Sequence, residues 1–464
     1  MEQITLFSGS SEIRIDKKIR LIELFAGIGS QAKALKNIGA DFEHYKICEF
    51  DKYAVTSYNA IHGTDFKVSD ITKWHAADLG IIEKDKYEYI VTYSFPCQSL
   101  SVAGKGEGMA KGSGTRSGLL WEVERLLEEC GDNLPQILLM ENVDAILFKK
   151  NRKHFFQWCN RLEKFGYRNY YQVLNAKDYG IPQNRKRCYM VSILGDYYYE
   201  FPKPIKLELR VKDLLEKEVP EKYYISKALV EFFMKNTIKQ KEKGNGFTFN
   251  PTDGNCVGKA ITSKAGSRMD DNFIIDDITC QPCLTPDRIE KRQNGRRFKE
   301  DNEPMFTLTA QDIHGVLISN SEIKQPCEIQ RDKGIVTYKD NVMGALRTIN
   351  QCGDKHLICY NQYRPDGVQT SLNDRIYDSG GVGLSVTTSP FFMPNYLNNY
   401  RIRKLMPIEG FSLMGFARED FFKVKKAGIS DSQCYKQAGN SIVVNVLEAI
   451  FRNMNMKGVK RWQK

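Results

Sequence analysis

Short apolar runs alternate with helix-like stretches over the first 200 residues of this 464-residue chain. The apolar runs lie at residues 20–25, 89–93 and 137–140, and apolar residues recur with helical spacing at 31–38 and 119–129. Strand–helix alternation of this kind predicts an α/β domain with a mostly parallel sheet. Because ligands of such sheets bind beyond the carboxyl ends of the strands, the residues after each apolar run are the candidates for chemistry.

The pattern changes near residue 200. Residues 245–400 are rich in Gly, Asn, Asp, Thr and Pro and contain short apolar runs typical of successive hairpins, although β-rich composition alone would make such segments resemble one another. Residues 442–450 return to helical spacing after the Gly-Asn-Ser sequence at 439–441. The sequence therefore predicts a β-rich region between an N-terminal α/β domain and a C-terminal helix.

The charge of the chain favours a polyanionic partner. Lys and Arg number 68 against 57 Asp and Glu, which gives a formal net charge of +11. Six basic residues lie within residues 288–299, a density typical of a loop that contacts a nucleic-acid backbone or of a solvated loop.

Two further features exclude whole classes of protein. No apolar run approaches the roughly 18 residues of a membrane span, and the first 20 residues lack the apolar segment of a secretory signal, so we expect a cytoplasmic protein that does not enter a membrane. The 12 cysteines are scattered and form one CxxC, at 280–283, with no second pair nearby. We therefore predict reduced thiols and no metal site.

A glycine-rich turn follows the first apolar run. Gly27, Gly29 and Ala32 form a GxGxxA pattern, and Glu49 lies twenty positions beyond Gly29. Glycines let a backbone approach a nucleotide-like ligand closely, and an acid at this distance hydrogen-bonds ribose hydroxyls. Dinucleotides and S-adenosylmethionine both fit this pattern, and a tight turn with an incidental glutamate is the structural alternative.

Three further motifs carry reactive side chains. Cys97, within Pro-Cys-Gln at 96–98, follows an apolar run and precedes a Gly-, Ser- and Lys-rich stretch at 99–116 typical of a mobile lid, as expected for a nucleophile in a cleft. Glu141 opens Glu-Asn-Val, and Arg185 and Arg187 alternate in Gln-x-Arg-x-Arg. A protonated carboxyl group can donate to a ring nitrogen and an arginine to a ring carbonyl, which suits a planar heterocycle. For each arginine, a phosphate contact or a surface ion pair is the alternative.

These motifs, in this order, resemble those of the cytosine-5 DNA methyltransferases of bacteria and phages. The resemblance covers about residues 18–200 and 400–455 and rests on the segments 25–29, 96–98, 141–143, 183–187, 403–416 and 439–441. Two positions depart from the family pattern, because Met406 stands where the family usually has Thr and Ser412 where it usually has Arg. Both are packing positions in the family, so we expect no loss of activity.

The resemblance implies a fold and a division into domains. We expect a Rossmann-like S-adenosylmethionine-dependent methyltransferase domain with a mostly parallel sheet, formed by residues 1–199 and completed by 425–464. A smaller β-rich target recognition domain would occupy residues 200–424, with the family's ninth motif at about 400–416. DNA would lie in the cleft between the two domains.

The resemblance also implies a catalytic role for each motif residue. Cys97 would attack carbon 6 of a flipped cytosine, Glu141 would hold ring nitrogen 3, and Arg187 would bind the base carbonyl with support from Arg185. The cofactor S-adenosylmethionine would lie over the glycine turn, with Glu49 on the ribose, Asp70 and Ile71 at the adenine edge and the last loop at the methionine end. The full cofactor set implied is Phe25, Ala26, Gly27, Ile28, Gly29, Glu49, Asp70, Ile71, Pro96, Asn440 and Ser441.

The expected macromolecular partner is double-stranded DNA, and we expect a monomer. A restriction–modification enzyme with a separately encoded endonuclease, a phage self-protection enzyme and a solitary regulator would share these motifs. There are three alternatives. An RNA methyltransferase of the same superfamily is disfavoured because no Cys-Phe-Thr occurs, and a nicotinamide-dependent oxidoreductase leaves the later motifs unexplained. The intact Cys97, Glu141 and Arg187 argue against the third, an inactive DNA-binding module.

Overall fold

The computed structural model describes residues 11–96, 116–277, 280–284, 314–318, 327–330, 334–337, 376–378, 395–397 and 400–462. Cys97, almost all of the predicted lid at 99–116 and the basic stretch at 288–299 lie outside these residues.

The chain divides into two compact units. The first comprises Met1–Ile274 together with Lys404–Lys464, and the second comprises Ile275–Arg403. Residues 200–274 and 404–424, which the sequence analysis places in the recognition domain, group with the first unit. The reason is packing, because Val211, Ile261 and Phe411 are buried in the same hydrophobic core as the central sheet.

The secondary structure elements follow the alternation predicted from the sequence. The strands up to the boundary between the units are β1 (Ser11–Glu12), β2 (Lys18–Leu24), β3 (Phe42–Cys48), β4 (Tyr87–Tyr93), β5 (Ile137–Val143), β6 (Tyr167–Asn175), β7 (Gln183–Asn184), β8 (Lys186–Leu194), β9 (Tyr197–Tyr198), β10 (Gly258–Lys259) and β11 (Phe273–Asp277). The helices are α1 (Ser30–Asn37), α2 (Lys52–His62), α3 (Ala76–Leu79), α4 (Leu120–Cys130), α5 (Arg152–Lys164), α6 (Lys227–Glu242), α7 (Pro407–Ser412), α8 (Arg418–Lys426), α9 (Asp431–Asn440) and α10 (Val444–Arg452). Short 3-10 helices lie at Ile71–Lys73, Arg116–Leu119, Asp144–Leu147, Ala176–Tyr179, Val211–Leu214 and Glu221–Tyr223.

The described segments of the second unit are short strands. They are β12 (Cys280–Leu284), β13 (His314–Ile318), β14 (Cys327–Gln330), β15 (Gly334–Thr337), β16 (Ile376–Asp378), β17 (Asn395–Leu397) and β18 (Tyr400–Lys404). β12 pairs with β13 and β14 with β15 in antiparallel fashion, β16 pairs with β17 in parallel, and β18, which leads back to the first unit, pairs with β11.

The centre of the first unit is a six-stranded sheet with the order β3-β2-β4-β5-β8-β6. The first four strands are parallel, and β8 runs antiparallel to both β5 and β6. The predicted mostly parallel α/β sheet is therefore confirmed. Its central strands are buried on both faces, which explains why they are almost continuously apolar in the sequence.

Helices cover the two faces of the sheet and form two hydrophobic cores. On one face α1 packs on α10, and residues of both helices are buried with Leu21 of β2 and Val191 of β8. On the other face α4 and α5 are buried against Val91 of β4 and Leu138 of β5. The C-terminal helix α10 therefore contributes to the core beneath the N-terminal sheet.

No helix among the described residues is long and apolar enough to span a membrane.

Candidate active site and cofactor pocket

Parallel strands bring the predicted site residues to one edge of the sheet. β2, β3, β4 and β5 all run in the same direction, so their carboxyl ends lie along that edge. The glycine turn follows β2, Glu49 follows β3, Pro96 follows β4, and Glu141 lies near the end of β5. β8 runs the opposite way, which places Arg187, near its start, at the same edge and opposite Val143.

Backbone hydrogen bonds to the neighbouring strand fix the glycine turn. The amides of Phe25 and Ala26 donate to the carbonyl of Cys48 at 2.7 and 3.3 Å. Phe25, Gly27 and Gly29 have φ angles of 58°, 58° and 81°. This left-handed conformation is natural for glycine but costs a residue such as phenylalanine about 1–2 kcal/mol. The turn thus carries the chain abruptly from β2 into α1.

The two glycines of the turn meet different needs. A Cβ atom on Gly27 would have no atom within 4 Å, whereas one on Gly29 would lie 2.3 Å from His62 Nε2 and 2.6 Å from a ring carbon of Tyr58. Gly29 therefore lets α2 pack against the turn, while Gly27 leaves space beside it. The side chain of Ile28, between the two glycines, is buried.

Glu49 is tied to the glycine turn by its carboxylate. Its Oε2 accepts from the Gly27 amide at 2.9 Å, and its Oε1 accepts from the Asp51 amide at 2.8 Å. Burial raises the pKa of Glu49, and these backbone donors act in the opposite direction. Each oxygen keeps lone-pair capacity for a further donor, such as a ribose hydroxyl.

Phe50 is a candidate site residue that the sequence analysis missed. Its ring follows Glu49 directly and is 74% exposed, which is the highest exposure among the large hydrophobic side chains that the structure describes. An exposed aromatic face beside a carboxylate with capacity for a further donor can stack on a purine ring. The signal present in the sequence was an aromatic residue placed between Glu49 and Asp51, where an apolar core position is not expected.

A backbone hydrogen bond holds the segment that contains Asp70 and Ile71 next to Glu49. The Ser69 amide donates to the Glu49 carbonyl at 2.9 Å. Asp70 Oδ1 accepts from the amide and hydroxyl of Thr72 at 3.0 and 2.8 Å, which lowers the pKa of Asp70. Ile71 is buried in the hydrophobic core that includes Val91 and Leu138.

Glu141 and Arg187 form an ion pair at the sheet edge. Arg187 Nε lies 3.3 Å from Glu141 Oε1, and the glutamate is only 8% exposed. Burial raises the pKa of Glu141, and the charges of Arg187 and Arg185 oppose this effect. The carboxyl group therefore holds a proton more readily than an exposed glutamate does.

Arg185 is buried and directs its guanidinium away from this ion pair. Its Nη1 donates to the Ile261 carbonyl at 2.8 Å, and its Nη2 donates to the carbonyls of Gly439 and Ser441 at 2.9 and 2.8 Å. Its own amide donates to Asn175 Oδ1 at 3.0 Å. These hydrogen bonds connect the start of β8 to the loop before β11 and to the C-terminal end of α9.

Gln183 makes the same kind of connection. Its Nε2 donates to the Leu413 carbonyl at 2.7 Å, and its Oε1 accepts from the Ile261 amide at 3.0 Å. The side chain is completely buried, so both ends of its amide are satisfied inside the protein.

Glu409, in the predicted ninth motif, is also fully buried and bound by backbone amides. Its Oε1 accepts from the Glu216 amide at 2.9 Å and its Oε2 from the Met406 amide at 2.7 Å, which caps α7. The two departures from the family pattern lie in the same segment. Met406 packs partly buried against the core, and the Ser412 hydroxyl donates to the Ile408 carbonyl at 3.2 Å.

The last turn of α9 depends on a glycine. A Cβ atom on Gly439 would lie 2.2 Å from the carbonyl carbon of Thr262, so the two backbones approach too closely for any larger residue. Asn440 is exposed, whereas Ser441 is buried and its hydroxyl donates to the Gln437 carbonyl at 2.7 Å. Of the two predicted cofactor residues, only Asn440 therefore presents an exposed side chain.

Cys97 itself lies outside the described residues, but the chain before it is held firmly. Asn142 Nδ2 donates to the Phe95 carbonyl at 2.9 Å, and Pro96 is half-buried. Among the side chains that the structure describes, no group of three or more His, Cys, Asp or Glu residues could hold a metal ion.

Comparisons with known proteins agree with this geometry. The family model for C-5 cytosine-specific DNA methylases matches residues 19–456. The orphan methyltransferase M.SPBetaI of Bacillus phage SPbeta is 27% identical over 94% of this chain and 97% of its own length. M.SssI of Spiroplasma monobiae is 32% identical over 62% of this chain and 86% of its own length.

A solved structure shares the fold. The methyltransferase EhMeth of Entamoeba histolytica superposes with a TM-score of 0.52 at 15% identity and covers 95% of this chain and 98% of its own. Because the family model spans nearly the whole chain, this protein belongs to the C-5 cytosine-specific DNA methylase family and is a cytosine-5 DNA methyltransferase.

Proposed function

We propose that the chain methylates carbon 5 of a cytosine flipped out of duplex DNA at a specific sequence, through a covalent adduct with Cys97. The observation that carries this proposal is the buried Glu141–Arg187 pair at the sheet edge. Glu141 lies in β5, the strand next to β4, which leads to Cys97. A base inside a duplex cannot reach such a site, so it must leave the stack. S-adenosylmethionine, when bound, supplies the methyl group.

Cys97 and Glu141 would together activate the cytosine ring. Carbon 6 of cytosine is a poor electrophile, so attack by the Cys97 thiolate needs a proton or hydrogen bond at ring nitrogen 3. The raised pKa of Glu141 supports a carboxyl group that is protonated and can donate there. After methylation, loss of the proton on carbon 5 re-forms the double bond and releases the Cys97 thiolate.

Arg187 would bind the carbonyl oxygen of the base. Its Nε lies beside the Glu141 carboxylate, and its Nη1 donates to the Lys186 carbonyl at 2.7 Å. A guanidinium has five N–H donors, so it can donate to the Glu141 carboxyl group and to the base carbonyl together.

Arg185 has a different role in this proposal. Three of its hydrogen bonds go to backbone carbonyls, so we infer that it positions the start of β8 and therefore Arg187, rather than contacting the base. This role is narrower than the support that the family resemblance implies for Arg185.

The cofactor would bind along the glycine turn. The space beside Gly27 supports a close approach of the ligand to the backbone from Phe25 to Gly29. Glu49 would accept from the ribose hydroxyls, Phe50 would stack on the adenine ring, and Asp70 with Ile71 would contact the adenine edge. Pro96, Asn440 and Ser441 would line the methionine end.

Target recognition would come from the middle of the chain. We assign it to residues 200–424, with residues 275–403 as the part that forms a unit of its own. The basic residues at 288–299 would contact phosphates and supply affinity for any duplex, while other loops of this region would contact base edges. We further propose that the protein acts as a monomer.

The biological setting is also a proposal. The similarity to phage methyltransferases described as orphan favours a solitary or phage-encoded enzyme, which would need no endonuclease partner. A restriction–modification enzyme with a separately encoded endonuclease is the second candidate, since the relative M.NlaX of Neisseria lactamica is a type II methyltransferase 36% identical over half of this chain.

The experiment that tests the mechanism traps the adduct. Duplex DNA with 5-fluorocytosine at the target, found beforehand by bisulfite sequencing of DNA from expressing cells, should form a covalent complex in the presence of S-adenosylmethionine, because fluorine blocks the final elimination. Cys97→Ser should bind the same DNA without forming the complex. An adduct formed equally well by Cys97→Ser would refute the role of Cys97.

A further inference from the structure

Ser94 lies directly opposite Glu141 across two neighbouring strands. The ladder between β4 and β5 ends with the pair Tyr93 and Met140, and two residues further on Asn142 donates to the carbonyl of Phe95. These two contacts bracket the position between them. The side chains of Ser94 and Glu141 therefore share one face of the sheet at the edge where the base would bind.

The hydroxyl of Ser94 has an unusual environment. It is completely buried and forms no hydrogen bond of good geometry with any residue that the structure describes. It nevertheless lies close enough to Glu141 to lower the pKa of that carboxyl group. A buried hydroxyl without a partner costs free energy, and the carboxyl group beside it is the acceptor it can use by rotating its O–H bond.

We propose that Ser94 is a positioning residue for methyl transfer, whose hydroxyl donates to the Glu141 carboxyl group and holds it in the orientation that meets the cytosine ring. This inference rests on the role proposed above for Glu141. A carboxyl group can rotate about its last bond, and the ion pair with Arg187 is made through Oε1. Because the ion pair alone leaves this rotation free, a second hydrogen bond from the Ser94 hydroxyl would fix the orientation of the Glu141 carboxyl group.

The proposal predicts how the rate depends on pH. Among the described residues, the titratable and charged groups that face Glu141 come from β8 and the residue before it. They are Arg187, Cys188 and Tyr189 of β8, and Arg185. The Ser94 hydroxyl, which comes from the end of β4, favours the ionised carboxylate. If protonated Glu141 is the active form, the rate falls as pH rises through its pKa, and this alkaline limb reports the pKa directly.

The decisive variant is Ser94→Ala. Without the hydroxyl the ionised form loses a donor, so Glu141 keeps its proton to higher pH. The alkaline limb of kcat/KM should move upward by about one pH unit, the size expected for a lost hydrogen bond to a charged group. Ser94→Thr, which keeps a hydroxyl, should restore the original limb, and Ser94→Gly provides a second variant without one.

Thr92 offers a matched control on the same strand face. Its hydroxyl is also buried without a described partner, but it lies opposite Leu139, two residues before Glu141. Thr92→Val removes this hydroxyl while keeping the shape, and it should leave the alkaline limb where it is. Melting temperature and calorimetric cofactor affinity confirm that each variant of the full chain is folded.

The outcomes separate this inference from the role of Glu141 itself. If Glu141→Gln keeps the rate and the alkaline limb of the wild type, the proposed role of Glu141 fails. If Glu141→Gln is inactive but Ser94→Ala leaves the limb unmoved or moves it to lower pH, only the inference about Ser94 is overturned. Because Arg187 and the Glu141 carboxyl group both remain, Ser94→Ala should keep part of its activity. A folded variant that is inactive at every pH would mean that the hydroxyl contacts the reacting atoms itself, and this result would overturn the positioning role.

Discussion

Two regions of the first unit use the same kinds of side chain in opposite ways. At the base edge, defined by Glu141 and Arg187, a carboxyl group and a guanidinium pair with each other at the carboxyl end of the parallel strands. At the junction, defined by Gln183, Arg185 and Glu409, similar groups are buried and bound to backbone amides and carbonyls. The arginine of one region is nevertheless a near neighbour in sequence of the arginine of the other.

The difference lies in where the hydrogen-bonding capacity goes. Polar groups inside a protein are nearly always hydrogen-bonded. At the junction, the side chains hydrogen-bond backbone amides and carbonyls that have no partner in a helix or strand. At the base edge the groups keep capacity for a ligand, and the raised pKa of Glu141 reflects the burial that accompanies it. A charged motif residue therefore serves either architecture or chemistry, and its partners decide which.

The largest expected effect is on chemistry at the base edge. Glu141→Gln keeps the shape but cannot supply a proton, so we expect methyl transfer to slow by about 10²–10⁴-fold. Cofactor affinity should not change, because the proposed mechanism places Glu141 on the base rather than on the cofactor. Single-turnover rates with labelled S-adenosylmethionine, together with calorimetry, measure both quantities, and a collapse of cofactor affinity would place Glu141 in the cofactor pocket instead.

The sequence predicted the sheet and the base edge better than the junction. Strand-end positions follow from the alternation of strands and helices, so the amino-acid pattern alone places Glu49 and Glu141 at one edge. It does not reveal the partners of Arg185, because they are carbonyls of Ile261, Gly439 and Ser441, and a sequence pattern carries no information on such distant backbone contacts.

The extent of the first unit was also not readable from the sequence. Residues 200–274 have turn-rich composition, yet they pack on the core of the sheet, with β10 pairing in parallel with β7. Tertiary burial decides such cases, and local composition does not report it. The exposure of the Phe50 ring was likewise not readable from the sequence, although its place between Glu49 and Asp51 was a signal that could have drawn attention to it.

The second prediction uses the two arginines as probes. Arg185→Met should lower the free energy of unfolding by about 3 kcal/mol or more, since three carbonyls lose their donor at about 1–3 kcal/mol each. Arg187→Met should cost less stability, because Glu141 can bind a proton instead of remaining an unpaired charge. In denaturant titration, Arg185→Met should therefore lose more stability than Arg187→Met, whereas in transfer assays Arg187→Met should lose more of the rate. If one variant lost more of both, the distinction between the two regions would fail.

The third prediction concerns Glu49, which shares features of the junction and of the base edge. Backbone amides bind its carboxylate, and its oxygens can still accept hydrogen bonds from a ligand. Glu49→Ala should weaken S-adenosylmethionine binding by about 1.5–3 kcal/mol, the value of charge-assisted hydrogen bonds to ribose hydroxyls. Calorimetry measures the loss. Unchanged affinity would contradict the ribose role, and measurable binding of NAD by the wild type would revive the oxidoreductase alternative.

The smallest expected effect is at Phe50, where no hydrogen bond is involved. Because the ring is 74% exposed, Phe50→Ala should leave the melting temperature unchanged, but it should weaken cofactor binding by about 0.5–1.5 kcal/mol through loss of stacking. Phe422→Ala is the matched control, since this ring is 54% exposed on α8, away from the glycine turn in sequence. Phe50→Trp should retain affinity because a larger aromatic face still stacks. If Phe50→Ala and Phe422→Ala bind the cofactor as tightly as the wild type, the exposed ring is not part of the pocket, and the pocket relies on Glu49 and the backbone of the glycine turn.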